Sequence, residues 1–300
     1  MRRTRAMRRY QEPDADNARW DGFAFRPGDV IVSAPSKSGT TWTQLLVALL
    51  VFDGPEFPAP LGELSPWMEA KFSPLEEVHR LLARQGHRRF IKSHTPLDGL
   101  PLHPEVRYVC VGRDPRDAAV SMLHHAANMD RQRVAELVGQ TARTPEQRSV
   151  EEHIDRFIEG DQLPGWNLRS VAHHLHTFWQ DRKAPNVELF HFADYLADLP
   201  GQLRRLAAHL GIPLSAQRAR ALAAEASIDT ARHRAHEVAP AAKLGIWKDT
   251  SRFFRQGGRG EGPRAMTPAQ HARYDGQLSD LPVAFVRWMH EGGSTASEDA

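Results

Sequence analysis

Cysteine is almost absent from this chain of 300 residues: Cys110 stands alone. That excludes a disulfide scaffold and any multi-cysteine metal knot. Its setting, Val109-Cys110-Val111, reads as an inert core position. Long apolar runs are missing too. The longest uninterrupted one, Leu45 to Phe52, falls far short of the roughly 20 residues a bilayer-spanning helix needs, so no transmembrane segment is expected. Five arginines stand among the first nine residues, but no apolar segment follows them, which does not fit a secretory signal. A cytoplasmic protein is the expectation. Net charge is only +2, without the surplus of a dedicated nucleic-acid binder, so no nucleic-acid partner is expected. Lysine is scarce: of 39 cationic residues only Lys37, Lys71, Lys92, Lys183, Lys243 and Lys248 are lysines, and the rest are arginine. Each lysine therefore invites the question of why it is not arginine.

What is present suits an ordinary globular protein, with 41% hydrophobic and 25% charged residues. Short β-branched or apolar runs at 29–34, 89–92, 106–111 and 186–192 read as strands. Between and after them, helical segments are expected at 42–52, 73–85, 118–127, 147–159, 168–182, 200–210, 215–225, 268–276 and 282–290. Alternating strands and helices predict an α/β protein with a central parallel sheet flanked by helices. Residues 20–290 read as a single domain. Within it, 127–165 reads as a mobile helical excursion and 226–266 as an irregular, basic segment. Residues 1–19 read as a basic, disordered arm and 291–300 as a disordered tail.

Ligands of such sheets gather at the carboxyl ends of the strands. Three polar clusters fall immediately after predicted strands. In the first, Pro35-Ser36-Lys37-Ser38-Gly39-Thr40-Thr41-Trp42, a glycine-bearing turn would aim backbone N–H groups and hydroxyls at an anion at a helix start. It is not a Walker A loop, because Lys37 precedes Gly39 by two positions and no magnesium carboxylate follows. A plain capped turn is the bland alternative. In the second, Lys92-Ser93-His94-Thr95-Pro96, a histidine beside a lysine can act as a general base. Against it stands the fact that His94 is one of sixteen histidines. The third, Arg113-Asp114-Pro115-Arg116-Asp117 with Ser121 behind it, offers a guanidinium fork and a hydroxyl to a second phosphate. The same residues are also a good helix start, with Asp114 as cap and Pro115 at the first position.

These three stretches in order resemble the motifs of cytosolic-type sulfotransferases, which move a sulfuryl group from 3′-phosphoadenosine 5′-phosphosulfate (PAPS) to an acceptor and release PAP. Arg255-Gln256-Gly257-Gly258-Arg259-Gly260 is similar to the family's late Arg-Lys-Gly-x-x-Gly element. The run Phe90 to Leu100 and Val111-Gly112-Arg113 most resemble actinobacterial members associated with glycolipid or other lipophilic acceptors. The resemblance extends from about residue 20 to 290 and implies a three-layer P-loop-like fold. It implies that Lys37, Ser38, Gly39, Thr40 and Thr41 hold the 5′-phosphosulfate, and that Trp42 stacks on adenine. Arg113 and Ser121 would hold the 3′-phosphate, with Arg255, Gln256 and Gly257 closing over it. His94 would be the base, and Lys37, Lys92 and Ser121 would complete the catalytic set without a metal. Four departures stand out: Gln256 in place of lysine, Glu261-Gly262 in place of Asp-Trp, Phe192 in place of tyrosine, and Ala226-Ser227-Ile228 in place of Thr-Ser-Phe. Phe192 and Ser227 are nonetheless carried over as adenine-side residues. A competent enzyme with weakened cofactor affinity is expected.

On the acceptor side, Pro66-Trp67-Met68-Glu69 and Phe178-Trp179 offer apolar surface to a small lipophilic molecule, although core packing is the favoured reading for Trp179 and an even alternative for Trp67, and His174 resembles a family pocket histidine. The run His173, His174, His176 lacks a carboxylate or cysteine at ligand spacing, so no metal is assigned to it. Two other readings stay open: a kinase using ATP and magnesium, and a non-catalytic nucleotide-binding relative. A homodimer is neither required nor excluded.

Overall fold

The computed structural model describes residues 7–141, 148–160, 165–254 and 258–295. Its four strands are Val30–Ser33 (β1), Phe90–Ser93 (β2), Arg107–Gly112 (β3) and Val187–His191 (β4). They pair in the order β2-β1-β3-β4, all parallel, with Val32 opposite both Lys92 and Val109. Successive side chains enter opposite faces. Ile31, Ile91, Tyr108, Cys110 and Leu189 meet the helices Leu75–Arg84, Pro115–Asn128, Val150–Glu159, Leu168–Gln180 and Val283–Glu291. Val30, Val32, Phe90, Val109, Val111 and Phe190 meet Thr40–Val51, Leu199–Leu210 and Ala216–Glu225. Both faces are covered, which is why the strands are apolar runs rather than alternating ones. This is the parallel α/β fold that the strand–helix alternation predicts, in the three-layer, P-loop-like form that the resemblance implies.

The long helices fall close to their expected bounds. The third begins at Pro115 rather than 118, because Asp114 accepts from the Arg116 N–H and Pro115 occupies the first position, where its missing N–H costs nothing. The segment 127–165 carries the helices Arg131–Leu137 and Val150–Glu159. The second is started by a Ser149–Glu152 capping box and buries Ile154, Phe157 and Ile158 in the core. The segment expected to be irregular, 226–266, contains the short helices Ile228–His233, Ala235–Val238 and Glu261–Ala265.

Residues 7–19 depart from the loose arm expected of them, while residues 1–6 lie outside the described part. Tyr10, Asn17 and Trp20 are buried. The Asn17 amide donates to Arg8 O and Gly99 O, Asp16 N donates to Glu69 O, and Lys71 N donates to Asp14 O. The Tyr10 hydroxyl donates to Asp98 Oδ1 at 2.7 Å and meets His173 Nε2 at 2.8 Å. Arginine content concealed these anchors, whose partners lie far along the chain. Beyond the last helix, Gly293 N donates to Asp194 Oδ1, and residues 296–300 lie outside the described part.

Candidate active site

Because β2 and β3 flank β1 on opposite sides, the chain leaves β1 in one direction and returns in the other. A crevice opens at the carboxyl ends where this reversal occurs. A cavity of about 870 Å³ lies there, lined among others by Lys37, Trp42, Lys92, His94, Arg113 and Ser121. The three polar clusters thus converge on one space.

The loop after β1 reaches it through two left-handed residues, Lys37 (φ 67°) and Gly39 (φ 108°). A Cβ on Gly39 would stand 3.2 Å from Phe192 Cδ2, so glycine answers both the backbone angle and the close approach. Gly39 caps the Thr40–Val51 helix without a side chain, leaving first-turn N–H groups for an anion. Thr40 and Thr41 line the cavity. Ser38 is fully buried behind the loop and does not line it. The hydroxyls of Ser38 and Thr40 have no hydrogen-bond partner among the described residues. Sealed polar atoms of this kind fit a loop built around an anionic group.

Arg113 is held from both sides: Nη1 donates to Lys37 O and Nη2 to Gly258 O, each at 3.1 Å, with the guanidinium 4.6 Å from the Phe192 ring centre. Ser121 lies on the following helix and faces the same cavity. Trp42 meets Phe192 edge-on at 5.4 Å and donates from Nε1 to Ala226 O at 2.9 Å, so its plane is fixed. Arg255, Gln256 and Gly257 lie outside the described residues. Ser227 does not join the cavity wall: its hydroxyl caps the Ile228–His233 helix by accepting from Thr230 N.

The reacting end is drier. Lys92 is buried, its Nζ 4.9 Å from the Trp67 ring centre. Burial pushes its ammonium down to about 8, and the carboxylate of Glu69 opposes the fall. The His94 ring donates from Nδ1 to Ala34 O at 2.6 Å, since a carbonyl only accepts, and stands edge-on to Trp67 at 5.0 Å. Burial, and then the charge of Lys92, hold His94 well below the usual histidine range. The neutral ring with its proton on Nδ1 keeps a lone pair on Nε2, the form a general base needs. His174 lines the cavity and bonds Ser33 Oγ at 3.1 Å through Nε2. Burial lowers its pKa to about 3.

Of the expected acceptor surface, Trp67 lines the cavity, but Phe178 and Trp179 do not. Both are packed in the core, Phe178 stacked on His174. Trp179 meets Phe285 and Trp288 of the last helix instead. His173 uses Nε2 on Tyr10 and Asp98.

Three residues escaped sequence reasoning. His125 accepts from Lys37 Nζ at 3.2 Å through Nδ1, and its ring packs 4.8 Å from that of Trp247. Burial and then the charges of Lys37 and Lys92 bring its pKa to about 2. It lies four residues after Ser121 on one helix, and that spacing was the available signal. Asp117 was grouped with an anion site, yet its carboxylate accepts from Gly260 N at 2.8 Å and Gly262 N at 2.7 Å, tying the late glycine segment to the Pro115–Asn128 helix. Glu69 was read only as part of the Pro66–Glu69 acceptor stretch. It is buried at 2% exposure beside Lys92, on the segment that pairs with β2.

Gly262, which stands with Glu261 in place of the family's Asp-Trp, has a packing role. A Cβ on Gly262 would fall 2.1 Å from the Arg116 carbonyl carbon, a contact no side chain could yield to. Gly262→Ala should push the Glu261–Ala265 helix off its neighbour, lowering stability by about 1–3 kcal/mol. Since Gly258 accepts from Arg113 nearby, nucleotide affinity should fall with it. Chemical denaturation and calorimetric titration with PAP would check both, and unchanged values in each would refute the packing role.

The sulfotransferase-domain family model matches residues 27–290. A protein of Mycobacterium bovis named glycolipid sulfotransferase is 48% identical, covering 94% of this chain and 94% of its own. Human sulfotransferase 2A1 is 23% identical over 89% of this chain and 90% of its own. A crystal structure of retinol dehydratase with androsterone and the inactive cofactor PAP has the same fold. It superimposes with a TM-score of 0.71 at 24% identity, covering 88% of this chain and 82% of that one.

Proposed function

This chain belongs to the sulfotransferase family, and on that premise we propose that it transfers a sulfuryl group from PAPS to a hydroxyl of a lipophilic, glycolipid-type acceptor. The observation that carries the reading is the meeting of Lys37, Lys92 and the Nε2 side of His94 in one cavity. Lys37, Thr40, Thr41 and the first-turn N–H groups would hold the 5′-phosphosulfate, Arg113 and Ser121 the 3′-phosphate, and Trp42 with Phe192 the adenine. PAPS supplies the sulfuryl group and departs as PAP. His94 takes the acceptor proton at Nε2 as the acceptor oxygen bonds to sulfur and the sulfur–oxygen bond to the 5′-phosphate breaks. Lys37 and Lys92 stabilise the charge that gathers on the bridging and phosphate oxygens, a role that fixed cations fill without a metal in this proposal.

Trp67, Phe72, Trp166, Leu81, Met122 and Met129 also line the cavity and give it apolar surface suited to the lipid part of an acceptor. The similarity to a glycolipid sulfotransferase supports the same acceptor class. Transfer of labelled sulfate from PAPS to a glycolipid and phenol extract, with products identified by mass, tests the proposal. Sulfated glycolipid formed in the presence of EDTA is expected. Magnesium-dependent consumption of ATP would favour a kinase instead, and tight PAP binding without any product would favour a non-catalytic relative.

A further inference from the structure

Glu69 ends the Pro66–Glu69 stretch read as acceptor surface, yet it touches both neighbours of the base. Its Oε1 accepts from Ser93 Oγ at 2.6 Å and from Thr95 Oγ1 at 3.0 Å, the residues on either side of His94. It accepts also from Trp20 Nε1 at 2.6 Å. Thr95 N in turn donates to Ser93 Oγ at 3.0 Å, so the turn carrying His94 is closed on itself and fastened to this carboxylate. The backbone brings Lys92 to the same place: Lys92 N donates to Pro66 O, and Met68 N donates to Lys92 O. The second oxygen, Oε2, is sealed from water and has no hydrogen-bond partner among the described residues. A carboxylate so buried is costly unless a cation lies within reach of its field.

We propose that Glu69 is a positioning residue for the catalytic pair, with Oε1 fixing the turn that presents His94 and the charge on the carboxylate keeping Lys92 an ammonium ion. The assignment of Lys92 and His94 to catalysis rests on the function proposed above, whereas the link from Glu69 to Lys92 does not. The groups around Lys92 are few. Lys37 from the loop after β1, His94 from its own segment, His125 from the helix after β3 and His174 from the helix before β4 all line the same cavity. Lys37 adds like charge, and His94, His125 and His174 are all shifted toward the neutral ring, chiefly by burial. Among the described residues Glu69 is the anionic group acting on Lys92, and it opposes the desolvation that lowers the ammonium to about 8. Removing that charge lowers the pKa further, so protonated Lys92 is lost at a lower pH.

Glu69→Gln separates the two roles, because the amide oxygen can still accept from Trp20, Ser93 and Thr95 while the charge is gone. With six lysines in the chain, selective ¹³Cε-lysine labelling followed by NMR titration reads Lys92 directly, assigned by the signal that Lys92→Met removes. In Glu69→Gln the Lys92 midpoint should move down by about one pH unit, while the melting temperature stays close to that of the parent. In PAPS-driven transfer, kcat/KM for PAPS should match the parent near pH 6. On the alkaline limb it should fall by about tenfold if the Lys92 midpoint drops by one pH unit. An unmoved Lys92 midpoint in a folded variant overturns the proposal whatever reaction the protein catalyses. A parent that transfers no sulfuryl group instead overturns the functional reading and leaves the titration to decide this one. If Glu69→Gln does not fold, Glu69→Asp serves, with the Lys92 midpoint expected to stay within the parent's range and an equal downward movement counting against the charge.

Discussion

His94→Ala should lose sulfuryl transfer by about 10²–10⁴-fold in kcat, the span that a single general base supplies, with PAP affinity essentially unchanged. His94 lies on the segment after β2, apart from Arg113 after β3, and meets the start of the Lys37 loop only at Ala34 O, so nucleotide binding and turnover should separate. Its Nδ1 donates to Ala34 O, and the unpaired carbonyl left behind should cost about 1 kcal/mol of stability. The pH dependence carries a sign. Neutral His94 is the active form and its pKa lies well below 6.5, so activity persists through mildly acidic pH and is lost only as pH falls through that low value. The alanine variant should lack this acid limb. Labelled-sulfate kinetics across pH, with calorimetric titration of PAP, decide the matter. Turnover in His94→Ala equal to the parent's would sink the mechanism.

Lys37→Arg should be nearly as damaging despite keeping its charge. The side chain starts from a left-handed backbone position and ends between His125 Nδ1, at 3.2 Å, and the face of Phe253, at 4.4 Å from the ring centre. A compact ammonium on a flexible stem fits this slot, and a planar guanidinium does not. A loss on the order of 10²-fold in kcat/KM for PAPS is expected, the scale of removing one fixed stabilising group. Lys92→Arg should behave similarly, because its ammonium lies buried beside Trp67. Near-parental kcat/KM in both variants would refute the claim that these sites require lysine. Two of the six lysines in the chain stand at these positions, while Arg113 occupies the site where a fork held by two carbonyls suits a static phosphate.

Much of this was legible along the chain. The apolar runs at 29–34 and 106–111 read as strands covered on both faces, and the polar residues that follow each were expected to collect at one edge of a parallel sheet. Local chemistry also marked Gly39, Asp114 and Pro115, since helix starts and turns are decided by residues within a few positions of one another. The resemblance to sulfotransferases then suggested roles for Lys37, His94, Arg113 and Ser121, all of which the fold brings to one cavity.

Other features depend on contacts between segments distant in sequence. Phe178 and Trp179 were as apolar as Trp67, but helix orientation put the first two in the core and left the third in the wall of the site. Ser227 was a plausible ligand by type, but it became a helix cap. Asp117 acquired its role only when Gly260 and Gly262 arrived from more than a hundred positions away. Glu69 reached Ser93, Thr95 and Trp20 in the same manner. Periodicity and turn chemistry act over a few residues, so the layered α/β fold, the anion loop and the candidate base could all be read from residue order. Protonation states and the supporting contacts could not, because desolvation and field strength depend on what burial places within a few ångströms.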